Sequence, residues 1–241
     1  MPKTSDPAFI RDFADVETWI FDLDNTLYPR HINLFDQVDA RIKEYVARVL
    51  NVPHDEANDI QKQYYRDYGT TMRGLMIEHG LEPDEFLEFV HDVDHSRLDP
   101  DPRLGEAISR LPGKRFIFTN GSRKHAEAVS TRLGITHHFD DIFDIIWAEH
   151  LPKPHPDTYA KLIAETGIDP ARAAMFEDLS RNLEVPDRLG MRTVLLVPDG
   201  TREVFHEEWE ADGRDARHVH HVTENLAEFV ETILAVLPSK G

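Results

Sequence analysis

Four short groups of polar residues in this chain carry the side chains that enzymes use for chemistry. They supply carboxylates, a hydroxyl, amides and an ammonium, and they are Asp22-Leu23-Asp24-Asn25-Thr26, Thr119-Asn120-Gly121-Ser122, Lys153-Pro154 and Glu177-Asp178-Leu179-Ser180-Arg181-Asn182. Each group alone is common, because a chain with 45 acidic residues holds many such pairs and acidic residues favour helix N-termini. All four in one chain, each following an apolar run, indicate one active site.

The apolar runs show how these groups are brought together. They are rich in β-branched and aromatic residues and cover residues 19–21, 116–118, 145–147 and 174–176, with a fifth run at 193–197. Helix-period segments separate them, and buried strands that alternate with helices predict a parallel sheet covered on both faces. The polar groups would then meet in one crevice at the carboxyl edge of the sheet.

Helix signals lie between the runs. Ser122 is predicted to cap a helix that Gly134 ends, and Pro156 to start one that Gly167 ends. Residues 184–189 match the end of another helix, residues 219–222 a last strand, and residues 224–237 an amphipathic helix. We therefore predict an α/β fold with a Rossmann-like, doubly wound parallel sheet. Residues 198–216 are predicted to form a surface excursion.

The stretch from residue 30 to residue 102 has helical patterns and no strand pattern. One strong amphipathic helix is predicted from apolar residues at helical spacing, which are Leu34, Phe35, Val38, Ile42, Tyr45, Val46, Val49 and Leu50. Weaker helical segments follow at 55–68, 71–78 and 83–92. We predict a helical cap domain of residues 30–102, inserted into a catalytic core of residues 1–29 and 103–241. Such an insert would hang over the edge where α/β sheets bind ligands.

Composition and charge exclude several classes of function. The formal net charge of −18 repels nucleic acid polymers and anionic lipid surfaces. No apolar run is long enough for a membrane span, and the polar, acidic start does not resemble a secretory signal. The chain has no cysteine, which excludes thiolate chemistry and fits a cytoplasmic location. So acidic a protein would need a bridging cation to bind an anionic substrate.

In this order the four groups resemble the motifs of the haloacid dehalogenase superfamily, in the form with a helical cap after the first motif. The resemblance covers nearly the whole chain. It implies that Asp22 is the nucleophile, Asp24 the general acid/base, and Lys153 the cation that holds nucleophile and phosphoryl group together. Thr119 would bind phosphate, with Asn120 and Gly121 beside it.

The resemblance also implies a Mg²⁺ site. Its ligands would be Asp22, the backbone carbonyl of Asp24, Asp178, and Glu177 either directly or through water. Some relatives carry an aspartate where this chain has Asn182, so the bonding around the site differs from theirs. Attack by Asp22 would give an aspartyl-phosphate. Asp24 would protonate the leaving oxygen and then take a proton from water.

Asp24 separates two reactions known in the superfamily. Dehalogenation expels halide, which needs no proton, and dehalogenases generally lack an acid at this position. Phosphatases and phosphomutases retain one, so Asp24 favours phosphoryl transfer. The implied partner is a small phosphorylated metabolite rather than a polymer or a membrane, and the sequence gives no oligomeric state.

The substrate class rests on finer resemblances. Residues 21–28, and Asn25 to Tyr28 above all, are similar to the opening motif of pyrimidine 5′-nucleotidases, which implies UMP and CMP as substrates. In the cap, Thr70, Thr71 and Arg73 are predicted to contact substrate, the alternative being an ordinary helix connection. Other candidates are a sugar phosphate or phosphoglycolate phosphatase, a phosphoglucomutase-like enzyme, and a non-catalytic phosphate-binding regulator.

Overall fold

A computed structural model describes residues 7–198 and 213–237. Six strands form one sheet in the order β3-β2-β1-β4-β5-β6, and every neighbouring pair is parallel. They are β1 (Thr18–Phe21), β2 (Lys114–Phe118), β3 (Asp141–Phe143), β4 (Ala173–Glu177), β5 (Arg192–Leu196) and β6 (His221–Thr223). From β1, strands β2 and β3 extend the sheet on one side, and β4, β5 and β6 extend it on the other. The order therefore reverses at β1, where open α/β sheets form their ligand crevice.

Six α-helices of the described residues accompany the sheet. They are α1 (Pro7–Phe13), α6 (Pro102–Ser109), α7 (Arg123–Leu133), α8 (Pro156–Thr166), α9 (Glu184–Leu189) and α10 (Leu226–Val236). Alternate residues of β1 enter two separate cores, because successive side chains of a strand point to opposite faces. Trp19 and Phe21 pack with α1, α6, α7 and α10, whereas Ile20 packs with α8 and α9. The predicted doubly wound α/β sheet is confirmed.

Four further helices lie between β1 and β2. They are α2 (Leu34–Leu50), α3 (His54–Tyr68), α4 (Thr71–His79) and α5 (Pro83–Val90), and they surround a third apolar cluster that includes Val38, Tyr45 and Phe86. Each predicted helix of this stretch is present. The helix α6, which begins at Pro102, packs into the main core instead. A domain boundary at residues 30 and 102 stays a prediction.

One predicted strand is wrong. Residues 145–147 form a turn, and the strand of this region is β3, which ends at Phe143. The carboxylate of Asp144 accepts hydrogen bonds from the backbone N–H groups of Arg123 and Trp147, both at 2.8 Å. A side chain that binds nearby backbone in this way competes with strand pairing. The apolar run is also not continuously buried, since Ile146 is 48% exposed.

Two further points concern the remaining chain. The predicted surface excursion at 198–216 falls largely outside the described residues, which omit 199–212. Within the described ranges, none of the helices combines the length and the apolar character needed to cross a membrane.

Candidate active site

The four polar groups converge on one cavity. Asp22 directly follows β1, Thr119 follows β2, Asp178 follows β4, and Lys153 lies in the loop before α8. The cavity has a volume of about 290 Å³, and the core residues that line it include Asp22, Asp24, Thr119, Asn120, Gly121, Lys153, Glu177 and Asp178. Helices of the insert form the opposite wall. The structure thus brings together all core residues that the sequence selected.

Lys153 is the central cation of this cavity. Its Nζ donates to Asp22 Oδ1, Glu177 Oε1 and the carbonyl oxygen of Phe118, each at 2.7 Å. An ammonium has three donors, so this buried side chain, only 1% exposed, is fully hydrogen-bonded. Burial lowers the pKa of Lys153, but Asp22 and Glu177 outweigh burial and raise that pKa above its usual range.

Asn120 fixes the backbone of Lys153. Its Nδ2 donates to the Lys153 carbonyl at 3.2 Å, and its Oδ1 accepts from the Lys153 N–H at 2.8 Å. The amide therefore bridges the loop after β2 to the loop before α8. Asn120 acts here on the position of Lys153, while its predicted contact with substrate stays a prediction.

Asp22 is a buried carboxylate among other carboxylates. Besides Lys153, it accepts from the Thr26 hydroxyl at 3.2 Å. Burial raises its pKa to about 7 although Lys153 pulls it down, and neighbouring Glu177 and Asp24 add to the rise. A second cation beside Asp22 would stabilise the ionised carboxylate and lower its pKa.

Three carboxylates fit a divalent cation. Asp22, Glu177 and Asp178 each offer an oxygen, and these oxygens all lie within 4.8 Å of one another. Hard oxygen donors suit Mg²⁺. Glu177 is already engaged, since its Oε1 accepts from Asn182 Nδ2 at 2.7 Å and its Oε2 from the Leu179 N–H at 3.0 Å. Both Glu177 oxygens thus already accept hydrogen bonds, and direct ligation by Asp178 stays a prediction.

Thr119 sits where an anion could be bound. Its buried Oγ1 accepts from the Gly121 N–H at 2.9 Å, which leaves the hydroxyl hydrogen to donate elsewhere. A Cβ added to Gly121 would lie 3.3 Å from Thr119 Oγ1 and 3.5 Å from the His125 ring. A glycine therefore keeps this wall of the cavity open.

The Asp24 side chain is held by residues that the sequence did not single out for catalysis. Its Oδ1 accepts from the Tyr28 hydroxyl at 2.6 Å and contacts His125 Nε2 at 3.0 Å. Asn25 adopts a left-handed conformation, φ 59°, in the turn that returns the chain so that Tyr28 reaches Asp24. Burial raises the pKa of Asp24, but His125 and Tyr28 outweigh burial, so this pKa lies below its ordinary value.

His91, from the helical insert, packs against the His125 ring. It follows α5, and its ring stacks on that of His125 with centroids 4.4 Å apart and an interplanar angle of 13°. Its Nδ1 lies 3.0 Å from Ser122 Oγ. Burial and the neighbouring His125 lower the pKa of His91 to about 3, so the ring is neutral. The sequence signal for His125 was its place one helical turn after Ser122.

The predicted cap residues are placed differently from one another. Thr70 and Thr71 line the cavity, but Thr70 caps α4 and Thr71 donates to the Gln61 carbonyl. Arg73 is not among the lining residues, and its guanidinium donates to the His150 carbonyl at 3.2 Å. Contact of these three residues with substrate stays a prediction.

Gln61 and Asp39 supply polar groups of the insert wall that the sequence did not indicate. Both line the cavity, and Gln61 Nε2 donates to Asp39 Oδ1 at 2.5 Å. Gln61 is 6% exposed, and its Oε1 has no hydrogen-bond partner within the part of the chain that is described. A buried acceptor in this state favours a ligand with a donor.

The fold agrees with sequence comparison. The chain belongs to the haloacid dehalogenase-like hydrolase family, whose model matches residues 16–185. Phosphate metabolism protein 8 of Saccharomyces cerevisiae is 28% identical over 217 residues, which cover 82% of this chain and 65% of that protein. The (S)-2-haloacid dehalogenase of Xanthobacter autotrophicus is 37% identical over 137 residues, 53% of each chain.

A solved structure shares the fold over most of the chain. The HAD phosphatase from Thermococcus onnurineus superposes with a TM-score of 0.57 at 18% identity, covering 90% of this chain and 97% of that one. The chain spans less than two thirds of the length of either curated relative, 65% and 53% respectively.

Proposed function

We propose that the protein is a Mg²⁺-dependent phosphate monoester hydrolase that works through an aspartyl-phosphate on Asp22. The observation that carries the proposal is the buried Lys153 ammonium, which joins Asp22 to Glu177 beside Asp178 in the cavity that also contains Asp24. Relatives named for phosphate metabolism and for phosphatase activity support the reaction class.

The first step is attack by the Asp22 carboxylate on phosphorus. Lys153 offsets negative charge on the nucleophile, and Thr119 can donate to a phosphoryl oxygen. Mg²⁺ held by Asp22 and Asp178 would reduce the repulsion between carboxylate and phosphate dianion. An acyl phosphate divides one difficult displacement into two easier ones.

Asp24 serves both steps as acid and then as base. A phosphate dianion bound beside it raises its pKa, which the free site holds low, and so favours the proton needed for the leaving oxygen. After the alcohol departs, Asp24 takes a proton from the attacking water. An acid at this position is of no use in expelling halide, which favours phosphate ester over haloacid as substrate.

We further propose a pyrimidine nucleoside monophosphate such as UMP or CMP as substrate. The cavity of about 290 Å³ is of a size for a small metabolite and runs from Asp22 to Gln61 and Asp39 in the insert. The buried Gln61 Oε1 requires a donor, and the N–H groups of a pyrimidine edge supply one. The sequence likeness around Asn25 and Tyr28 supports the same class.

A phosphate-release panel tests the function. With Mg²⁺ present, we expect free phosphate from UMP and CMP with a higher kcat/KM than from AMP, phosphoglycolate or glucose phosphates. A preference for phosphoglycolate or a hexose phosphate would contradict the nucleotide assignment. Isomerisation of a hexose phosphate without net phosphate release would indicate a mutase. No release from any ester would favour a regulator.

Chelation should remove activity, and Mg²⁺ should restore it. Independently of turnover, Mg²⁺ at 100 times its Kd should stabilise the fold by about 2.7 kcal/mol, measured as an increase in the free energy of unfolding. Asp178→Asn should abolish this increase because it removes a ligand. Asp157→Asn is the control, since that carboxylate is 81% exposed on α8 and outside the cavity. Equal responses in the two variants would contradict the metal assignment.

A further inference from the structure

One carboxylate oxygen of Asp24 is hydrogen-bonded to two side chains. Oδ1 meets the Tyr28 hydroxyl at 2.6 Å and His125 Nε2 at 3.0 Å. Tyr28 donates through its hydroxyl, and an ionised Asp24 has no proton to give, so His125 must donate through Nε2–H and the two bonds share a single acceptor. Oδ2 is therefore the oxygen left for a leaving group.

The two donors are themselves buried side chains. Tyr28 is buried in the main core, and the His125 side chain is completely buried at the first turn of α7. The His91 ring stacks on His125 from the insert. The Asp24 carboxylate cannot rotate without breaking bonds to two side chains that are packed in place.

We propose that His125 and Tyr28 are positioning residues that hold Asp24 with Oδ2 towards the leaving oxygen. The inference rests on the phosphatase function proposed above. In the step concerned, an Asp22 oxygen forms a bond to phosphorus while the bond from phosphorus to the leaving oxygen breaks. The electron pair stays on the leaving oxygen, which takes the proton from Asp24 Oδ2.

This positioning matters only when the leaving oxygen needs a proton. An alkyl ester such as UMP expels an alkoxide, which must be protonated as it leaves. p-Nitrophenyl phosphate expels a stabilised phenolate, which leaves without that help. For a reaction through a phosphoenzyme, kcat/KM reports the steps up to departure of the leaving group, so the later water step does not enter.

The experiment compares both esters in His125→Ala and Tyr28→Phe. For the alkyl ester turned over best in the panel above, kcat/KM should fall by about 100-fold in His125→Ala. For p-nitrophenyl phosphate it should stay within about 3-fold of wild type, because the acid contributes little there. Tyr28→Phe, which removes only a hydroxyl from the core, should show the same selectivity with a smaller loss. His137→Ala is the control and should change neither value, because this histidine is exposed and does not line the cavity.

The outcomes separate the inference from the function. Equal losses on the two esters, or no loss on the alkyl ester in either variant, would overturn the positioning role. Turnover by the wild-type protein would still support the phosphatase function. If wild-type protein hydrolyses neither ester, the phosphatase function fails and the inference with it. Unfolding curves of all variants show whether His125→Ala has lost its fold, in which case Tyr28→Phe decides.

Discussion

An Asp22→Asn variant is expected to lose about four orders of magnitude or more in kcat, because an amide cannot attack phosphorus and no other group replaces a missing nucleophile. The loss should appear equally with UMP and p-nitrophenyl phosphate, since both require the same attack. Substrate should still bind, because Lys153, Thr119 and the insert wall remain.

The same variant should keep its stability in Mg²⁺-free buffer. Burial raises the pKa of Asp22 to about 7, so the folded protein holds this proton more tightly than the unfolded chain does. The stabilising contribution of such a group is complete below the unfolded pKa and is lost as pH rises through the folded pKa. Near pH 8 an ionised Asp22 therefore costs stability, and a neutral amide of the same shape removes that cost.

Two measurements check this prediction. Acid quenching during turnover of labelled substrate should trap phosphate on wild-type protein and none on Asp22→Asn, and urea unfolding should show a variant at least as stable as wild type at pH 8. Asp157→Asn serves as the control for both. Full turnover by Asp22→Asn would remove Asp22 as the nucleophile.

Much of the fold and the core of the site could be predicted because the signals are local. Ser122 and Gly134 mark the ends of α7 through their own backbone and side-chain chemistry. Asp22 and Asp178 follow strands that a short apolar run identifies. Parallel strands place their carboxyl ends on one edge, so the meeting of these residues follows from topology without knowledge of any side-chain contact.

Other features of the site depend on contacts between residues far apart in the sequence, so local signals could not predict them. The bond between His125 and Asp24 joins residues 101 positions apart, and its formation depends on how α7 lies against the turn after β1. Gln61 and Asp39 meet only because α2 and α3 pack in one register. The prediction of a strand at 145–147 was wrong for a related reason. The hydrogen bonds of the Asp144 side chain, rather than hydrophobicity, determine the local backbone conformation.

Replacement of Lys153 by methionine is expected to destabilise the fold as well as abolish activity. The substitution leaves Asp22 and Glu177 buried together without the ammonium that now lies 2.7 Å from each. Breaking a buried ion pair by removing one partner costs about 3–5 kcal/mol. Lys161→Met is a matched control, because Lys161 pairs with Glu149 at the same 2.7 Å but is 35% exposed. A surface pair of this kind contributes about 0–1 kcal/mol.

The pH dependence identifies the cause of the loss. Without Lys153, Asp22 loses the charge that pulls its pKa down, while burial and Glu177 still raise that pKa, so protonated Asp22 favours the folded state. The stability deficit of Lys153→Met relative to wild type should therefore shrink as pH falls from 8 to 5, and adding Glu177→Gln should recover part of it at pH 8. Urea unfolding in Mg²⁺-free buffer measures both effects. A deficit no larger than that of Lys161→Met, or one independent of pH, would mean that Lys153 does not neutralise this buried pair, and the charge balance on which attack by Asp22 depends would have to come from another group.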